Sequence, residues 1–327
     1  MTTEQQPIHS GFNAKSTARE VIAGIDLRGK IAIVTGGYSG IGVETTRALS
    51  EAGATVVVPV RTRAKAEANL AGIARVELAP LDLLDPEAID RFAEGFLASG
   101  RPLHMLINSA GVMASPLTRD GRGYEVQFSG NHLGHFQLTA RLWPALAKAK
   151  GARVVAVSSR GHRFAPVDFE DPNFEKRAYD KWKAYGQSKT ANALFAVGLD
   201  ERGKASGVRA FSVHPGAIIT DLVRHLTDDD FKAFGITRHA DGGMDVSEES
   251  QRSFKNVEEG AATSVWCATS QKLDGRGGVY CEDCDISPLV PEGHSGPTGV
   301  WPWACDSQAA GKLWALSERL TGCSFAA

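Results

Sequence analysis

Lys30-Ile31-Ala32-Ile33-Val34-Thr35-Gly36-Gly37-Tyr38-Ser39-Gly40-Ile41-Gly42 joins an apolar, β-branched run to a glycine-rich turn and the start of a helical stretch. Short runs of the same kind recur at residues 54–60 (ATVVVPV), 103–108 (LHMLIN), 152–157 (ARVVAV) and 208–213 (VRAFSV). Such short apolar runs fit strands buried on both faces of a parallel sheet. Helical stretches lie between them, at 41–52, at 86–99 with Pro86 as a first-turn residue, and at 185–202, which is rich in alanine. The alternation predicts an α/β fold, a doubly wound parallel sheet of the Rossmann type.

The chain has 327 residues, 43% hydrophobic and 23% charged, the make-up of a globular protein with a sizeable core. Its length would allow two domains at roughly 150 residues each, but α/β chains of this size often fold as one. We read a single domain over residues 29–280, with an N-terminal extension, 1–28, on the surface and a C-terminal extension, 281–327, packed on the same domain. Basic residues number 36 and acidic residues 38, a net charge of −2, so neither nucleic acid nor anionic lipid is expected as a partner. No apolar stretch approaches the ~18 residues of a membrane span, and the polar N-terminus lacks a signal core, so the expected location is cytoplasmic. Two segments break the rhythm. Residues 221–257, which include Asp228-Asp229-Asp230, read as a mobile insertion; Pro and Gly cluster from 281 onward, before a final helical stretch near 307–320.

The glycines at 36, 40 and 42 make G-x-x-x-G-x-G, a different spacing from the commoner G-x-G-x-x-G. Backbone without side chains can approach a pyrophosphate, and the helix from Ile41 offers its N-terminus to the charge. Alone, such a run is equally a tight turn; its place between strand and helix favours a dinucleotide. The second strand ends near Val60, where the adenosine ribose lies in folds of this kind. A carboxylate there bonds a free 2′-hydroxyl, whereas an arginine accommodates a 2′-phosphate. Arg61-Thr62-Arg63 stands at that point and the first acid is Glu67. NADP is therefore the expected cofactor, with Arg61 on its phosphate; the alternative is a solvated arginine at a helix start.

Tyr185-Gly186-Gln187-Ser188-Lys189 puts a phenol and an ammonium on one helical face. A free tyrosine, with a pKa of about 10, is a poor base at neutral pH, and a nearby ammonium lowers that value. Taken alone, Y-x-x-x-K is common on helix surfaces. Ser158-Ser159 gives it a partner at the carboxyl edge of the fifth strand, where open α/β sheets bind ligands. A hydroxyl there can hydrogen-bond a carbonyl oxygen. No Gly-x-Ser-x-Gly elbow surrounds it, which disfavours nucleophilic hydrolysis.

Taken together, Thr35 to Gly42, Asp82-Leu83, Asn108-Ser109-Ala110-Gly111, Asn131, Ser159, Tyr185-x-x-x-Lys189 and Pro215-Gly216 resemble the short-chain dehydrogenases/reductases, over about residues 29–280. Asn131-His132-Leu133-Gly134-His135-Phe136 and Gly277-Gly278-Val279-Tyr280 are most similar to the retinol-dehydrogenase-like branch. The resemblance implies that Tyr185 is the acid/base, that Lys189 lowers its pKa and binds the nicotinamide ribose, and that Ser159 orients the carbonyl. Asn131 would keep the lysine-linked proton relay in place. Gly36, Tyr38, Ser39, Gly40, Ile41 and Gly42 would meet the pyrophosphate. Asp82 and Leu83 would lie by adenine, while Asn108, Ser109, Ala110 and Gly111 would line the cofactor floor. Pro215, Gly216, Ile218 and Thr220 would meet the nicotinamide end. Two residues depart from the family pattern: Ser109 stands where the family usually has Asn, and Tyr38 fills an often smaller position. Relatives commonly pair through the helices that carry Asn131 and Tyr185, which makes a homo-oligomer an expectation that the C-terminal extension could block.

The expected function is NADP-dependent interconversion of an alcohol and its carbonyl. The branch resemblance implies a small-molecule substrate, lipophilic or aromatic, with specificity set by residues 160–183 and 221–257. The alternatives are reduction of an activated C=C bond, as in the similar protochlorophyllide reductases, and a non-catalytic NADP-binding regulator. Cys281-Glu282-Asp283-Cys284 is a lone C-x-x-C without a second pair, so no metal is expected. His132 and His135 read as packing or polar contacts. Of Phe164, Phe169, Phe174, Tyr179 and Trp182, most should pack and one or two should wall a substrate. Trp301 and Trp303 read as pins that hold the tail to the body.

Overall fold

The computed structural model describes residues 3–239 and 243–325. Its strands are β1 (Ile31–Val34), β2 (Thr55–Val60), β3 (Val76–Pro80), β4 (Met105–Asn108), β5 (Arg153–Val157), β6 (Arg209–His214), β7 (Ile236–Arg238), β8 (Met244–Val246), β9 (Val279–Glu282) and β10 (Asp285–Ile286). Eight of them form one sheet in the order β3-β2-β1-β4-β5-β6-β9-β10, parallel up to the final antiparallel β9–β10 pair. The chain reverses its winding between β1 and β4, which opens a crevice at the carboxyl ends of these strands. The fold is the anticipated doubly wound α/β sheet.

Alternate residues of each strand feed opposite layers, as the pleat requires. Ala32, Val34, Val56 and Val58 pack under the Ile41–Glu51 and Val257–Thr269 helices, whereas Ile31, Ile33 and Val57 face Pro86–Ala98 and Gly134–Arg141. β3 carries Glu77 and Pro80, which an edge strand tolerates. The helix expected from Tyr185 starts earlier, at Lys181, because the Asp180 carboxylate accepts the backbone N–H groups of Trp182 (2.8 Å) and Lys183 (3.0 Å). No helix among the described residues is long and apolar enough to cross a membrane.

Two expectations need correction. Residues 221–257 carry structure: the Asp228–Ala233 and Glu248–Ser253 helices and the β7–β8 hairpin form a flap with its own small core of Leu226, Phe231 and Ile236. The N-terminal segment lies on the surface, as expected, and is docked there. The Gln5 amide donates to the carbonyls of Tyr280 (2.8 Å) and Ser287 (2.6 Å), and Asp285 accepts from the backbone of Ile8 (2.9 Å) and Ser10 (3.0 Å). The boundary drawn at residue 280 cuts through β9, so Cys281 and Glu282 belong to the sheet. Further on, the Ser307–Thr321 helix lies on the helices of Asn131 and Tyr185, with Ser317 Oγ 2.7 Å from His132 Nε2 and Trp314 stacked on Phe195 at 6.1 Å. The helices that carry Asn131 and Tyr185 are thus partly covered by this chain's own tail.

Candidate active site

A cleft of about 1320 Å³ opens along the carboxyl ends of β1, β4, β5 and β6. On one side the glycine turn follows β1. A Cβ on Gly42 would sit 2.2 Å from the Gly36 carbonyl oxygen, so only glycine lets the helix start so close beneath the turn. No side chain caps the N-terminus of the Ile41–Glu51 helix, and Gly36, Tyr38, Ser39, Gly40 and Ile41 line the cleft. Thr35 ties the turn to the neighbouring strand, its Oγ accepting the N–H groups of Ser109 (2.9 Å) and Ala110 (3.0 Å). The same hydroxyl lies 2.8 Å from His135 Nε2, while His135 Nδ1 donates to the Asn131 carbonyl at 2.9 Å. His135 is therefore a polar contact, as read, and one that joins two walls of the cleft.

Asp82, Leu83, Ser109, Ala110 and Gly111 line the cleft, as do Pro215, Gly216, Ile218 and Thr220. Asn108 does not: it is buried behind the wall and its amide donates to Thr139 Oγ at 3.2 Å. Gly42 likewise lies beneath the lining. Arg61 reaches the cleft at the end of β2, and its guanidinium has no partner among the described residues, whereas Arg63 is paired with Glu67 at 2.8 Å. Across the cleft Asp221 accepts from Lys65 Nζ (2.7 Å) and Ser39 Oγ (3.3 Å).

Ser159, from the loop after β5, meets Tyr185 and Lys189 of the Lys181–Gly203 helix on the opposite wall. Burial pushes the Tyr185 phenol up to about 12, against a hydrogen bond with Ser159 that works the other way. Burial pulls the Lys189 ammonium down to about 8. Its Nζ donates to the Val157 carbonyl at 3.0 Å and lies 5.5 Å from the Tyr185 ring centre. Desolvation thus outweighs the lowering of the phenol expected from the sequence. Asn131 sits in a turn of π-helix, Ser129–Leu133, a distortion common at functional sites. Its side chain bonds the backbone N–H and carbonyl of Val112 (2.8 and 2.9 Å) and Ser188 Oγ (2.9 Å), so it braces the catalytic helix against the cleft wall without touching Lys189 by a hydrogen bond.

Sequence reasoning missed His162 and His214. His214 is buried, and its Nδ1 accepts the N–H groups of Arg160 (3.2 Å) and Gly216 (3.4 Å), which joins the serine loop to the loop after β6. Single histidines with backbone partners leave no spacing signal. Phe164 and Trp182 of the aromatic group line the cleft, joined by Phe231 and Phe234 of the flap, while Phe174 packs on Tyr179 instead, at 5.1 Å. Cys281 and Cys284 are buried free thiols, and no cluster of three or more metal-ligating side chains occurs among the described residues.

This crevice, with a glycine cradle on one wall and a Ser, Tyr and Lys group on the other, defines a nucleotide-dependent oxidoreductase fold. Residues 30–230 match the short chain dehydrogenase family model, and the protein belongs to that family. It is 44% identical over 296 residues to a Streptomyces lividans protein named "Probable oxidoreductase", covering 89% of this chain and 97% of that one. Human retinol dehydrogenase 12 is 36% identical over 301 residues, with 89% of each chain covered. A crystal structure of a protein from Mycobacterium paratuberculosis superposes with a TM-score of 0.72 at 33% identity, covering 94% of this chain and 98% of that one. The chain is accordingly an oxidoreductase of a family that uses NAD or NADP, with a retinol-dehydrogenase relative.

Proposed function

We propose that the protein interconverts an alcohol and its carbonyl with NADP as coenzyme and Tyr185 as the acid/base. The observation that carries this reading is the convergence of Ser159, Tyr185 and Lys189 on one wall of the cleft, with the phenol hydrogen-bonded to the serine. The opposite wall fits a nicotinamide dinucleotide: the glycine cradle is closed to any added Cβ at Gly42, and the helix behind it is uncapped. Gly36, Tyr38, Ser39, Gly40 and Ile41 would hold the pyrophosphate, Asp82 and Leu83 the adenine, and the loop after β6 the nicotinamide end. The unpaired Arg61 favours a 2′-phosphate, hence NADP over NAD. When bound, the coenzyme would supply a hydride to the carbonyl carbon in its reduced form and accept one from the alcohol in its oxidised form.

Ser159 would donate its hydroxyl hydrogen to the substrate oxygen. Tyr185, neutral because burial keeps its pKa at about 12, would give that oxygen its proton as negative charge develops there. Lys189 would hold the ribose and face the phenol with positive charge. The aromatic lining supports a small apolar or aromatic substrate, and a cytoplasmic location accords with this use of NADP. The test is Tyr185→Phe, which keeps the ring and removes the proton. Turnover should vanish while NADPH still binds; undiminished turnover would refute the assignment.

A further inference from the structure

Behind Ser159 the chain builds a support that the proposed chemistry does not use. The Ser159 carbonyl accepts two bonds from one residue, the backbone N–H of His162 (3.0 Å) and its ring Nδ1 (2.8 Å). A main-chain N–H, that of Trp301, points at the other ring nitrogen, Nε2, at 3.2 Å. An amide N–H can only donate, so Nε2 accepts and the ring hydrogen sits on Nδ1, facing the serine. The His162 carbonyl in turn accepts from Trp303 Nε1 at 3.1 Å and from Thr190 Oγ at 3.1 Å. Next door, Arg163 donates to the carbonyls of Gly296 (2.8 Å), Thr298 (2.8 Å) and Gly299 (2.6 Å). From β9, buried Glu282 accepts Gly299 N–H at 2.5 Å. The turn that carries Ser159 is therefore gripped from behind by residues 296–303.

The turn has little slack on its other side. A Cβ on Gly161 would lie 2.7 Å from a Tyr185 ring carbon and 3.3 Å from Ser159 Oγ, so the backbone rests on the phenol. Any shift of the turn changes the distance between the two hydroxyls, and displacements of about 1 Å are enough to slow a positioned reaction by ~10²-fold.

We propose that His162, fixed in one tautomer between the Trp301 N–H and the Ser159 carbonyl and held in place by Trp303 through its own carbonyl, is a positioning residue that aims Ser159 at Tyr185, making the C-terminal segment part of the active site. The proposal rests on the reading of Ser159 given above. The experiment measures kcat, coenzyme affinity and melting for Ser159→Ala, His162→Ala, His162→Asn, Trp303→Phe and the Ser159→Ala/His162→Ala pair. His162→Ala should lower kcat by ~10²-fold with coenzyme affinity and cooperative melting kept. His162→Asn, whose amide still offers a donor to the serine carbonyl, should restore most of that loss, and Trp303→Phe should show a smaller one. In the double variant the histidine change should add nothing to the serine change, because one acts through the other. Additive losses, an unchanged kcat in His162→Ala, or a parallel loss of coenzyme affinity would overturn the proposal. Full turnover by Ser159→Ala alone would instead overturn the serine's role, and the inference with it. If His162→Ala does not fold, the same cycle run with Trp303→Phe decides the matter by the same criteria.

Discussion

Burial governs the protonation of both ionisable groups at the candidate centre, holding the Tyr185 phenol at about 12 and the Lys189 amine at about 8. A phenol that keeps its proton up to about 12 is an acid at neutral pH, and an amine titrating near 8 is charged below that pH and neutral above it. Carbonyl reduction should therefore be flat through neutral pH and fall as pH rises through about 8, while alcohol oxidation, which needs the phenolate, should rise with pH. Steady-state profiles in both directions check this; a reduction rate that climbs through pH 8 contradicts it. Arg61→Asp should weaken NADPH by about ten- to a hundredfold, the equivalent of ~1.5–3 kcal/mol for hydrogen bonds to a charged group, with NADH far less affected. Equal effects on both coenzymes, measured by titration, would refute the phosphate assignment. That Tyr185, Lys189, Ser159 and Arg61 would line one cleft was legible from residue type and spacing. His162 and His214 were not, since their partners are backbone groups distant in sequence. Asn108 was misplaced because the motif gives its position and not the side of the wall to which it turns.

The flap packs on Met113, Ala114 and Trp182 at the mouth of the cleft. Asp230 completes the capping box of its own helix by accepting the Thr227 N–H (2.8 Å), accepts from Trp182 Nε1 at 3.1 Å and pairs with Lys181; these bonds outweigh the opposing effect of burial and leave its carboxyl down at about 2. Trp182 also meets Phe234 at 5.5 Å and Phe164 at 5.7 Å, so the same contacts shape the mouth. Asp230→Asn should raise KM for a bulky apolar substrate several-fold with little change in coenzyme affinity; an unchanged KM would detach the flap from specificity. The flap was hidden in the sequence because Leu226, Phe231 and Ile236 recur every five residues, which is neither a helical nor a strand period. The parallel strands were legible for the opposite reason, as continuous apolar runs. The π-turn at Asn131 has no pattern of its own and was visible only in the structure.

At the scale of the whole molecule, the N-terminal segment is stitched to the far edge of the sheet, whereas the C-terminal helix lies on the helices of Asn131 and Tyr185. Gln5 makes three hydrogen bonds to β9 and its turn, which covers an otherwise open strand edge. Removing residues 307–327 should bare the apolar face of the Asn131 and Tyr185 helices and drive self-association; a truncated chain that stays monodisperse by light scattering would show that the tail does not guard that surface. The N-terminal docking was not legible, because it joins segments some 275 residues apart through a single polar side chain; packing of the C-terminal extension on the domain was expected, but not which helices it would cover. The central claim concerns where hydride and proton are delivered. Presenting the enzyme with an enone and NADPH deuterated at the transferable position tests it most directly. The account predicts an allylic alcohol with deuterium on the carbinol carbon, formed by the native protein and not by Tyr185→Phe; a saturated ketone carrying the deuterium on the former double bond would contradict it.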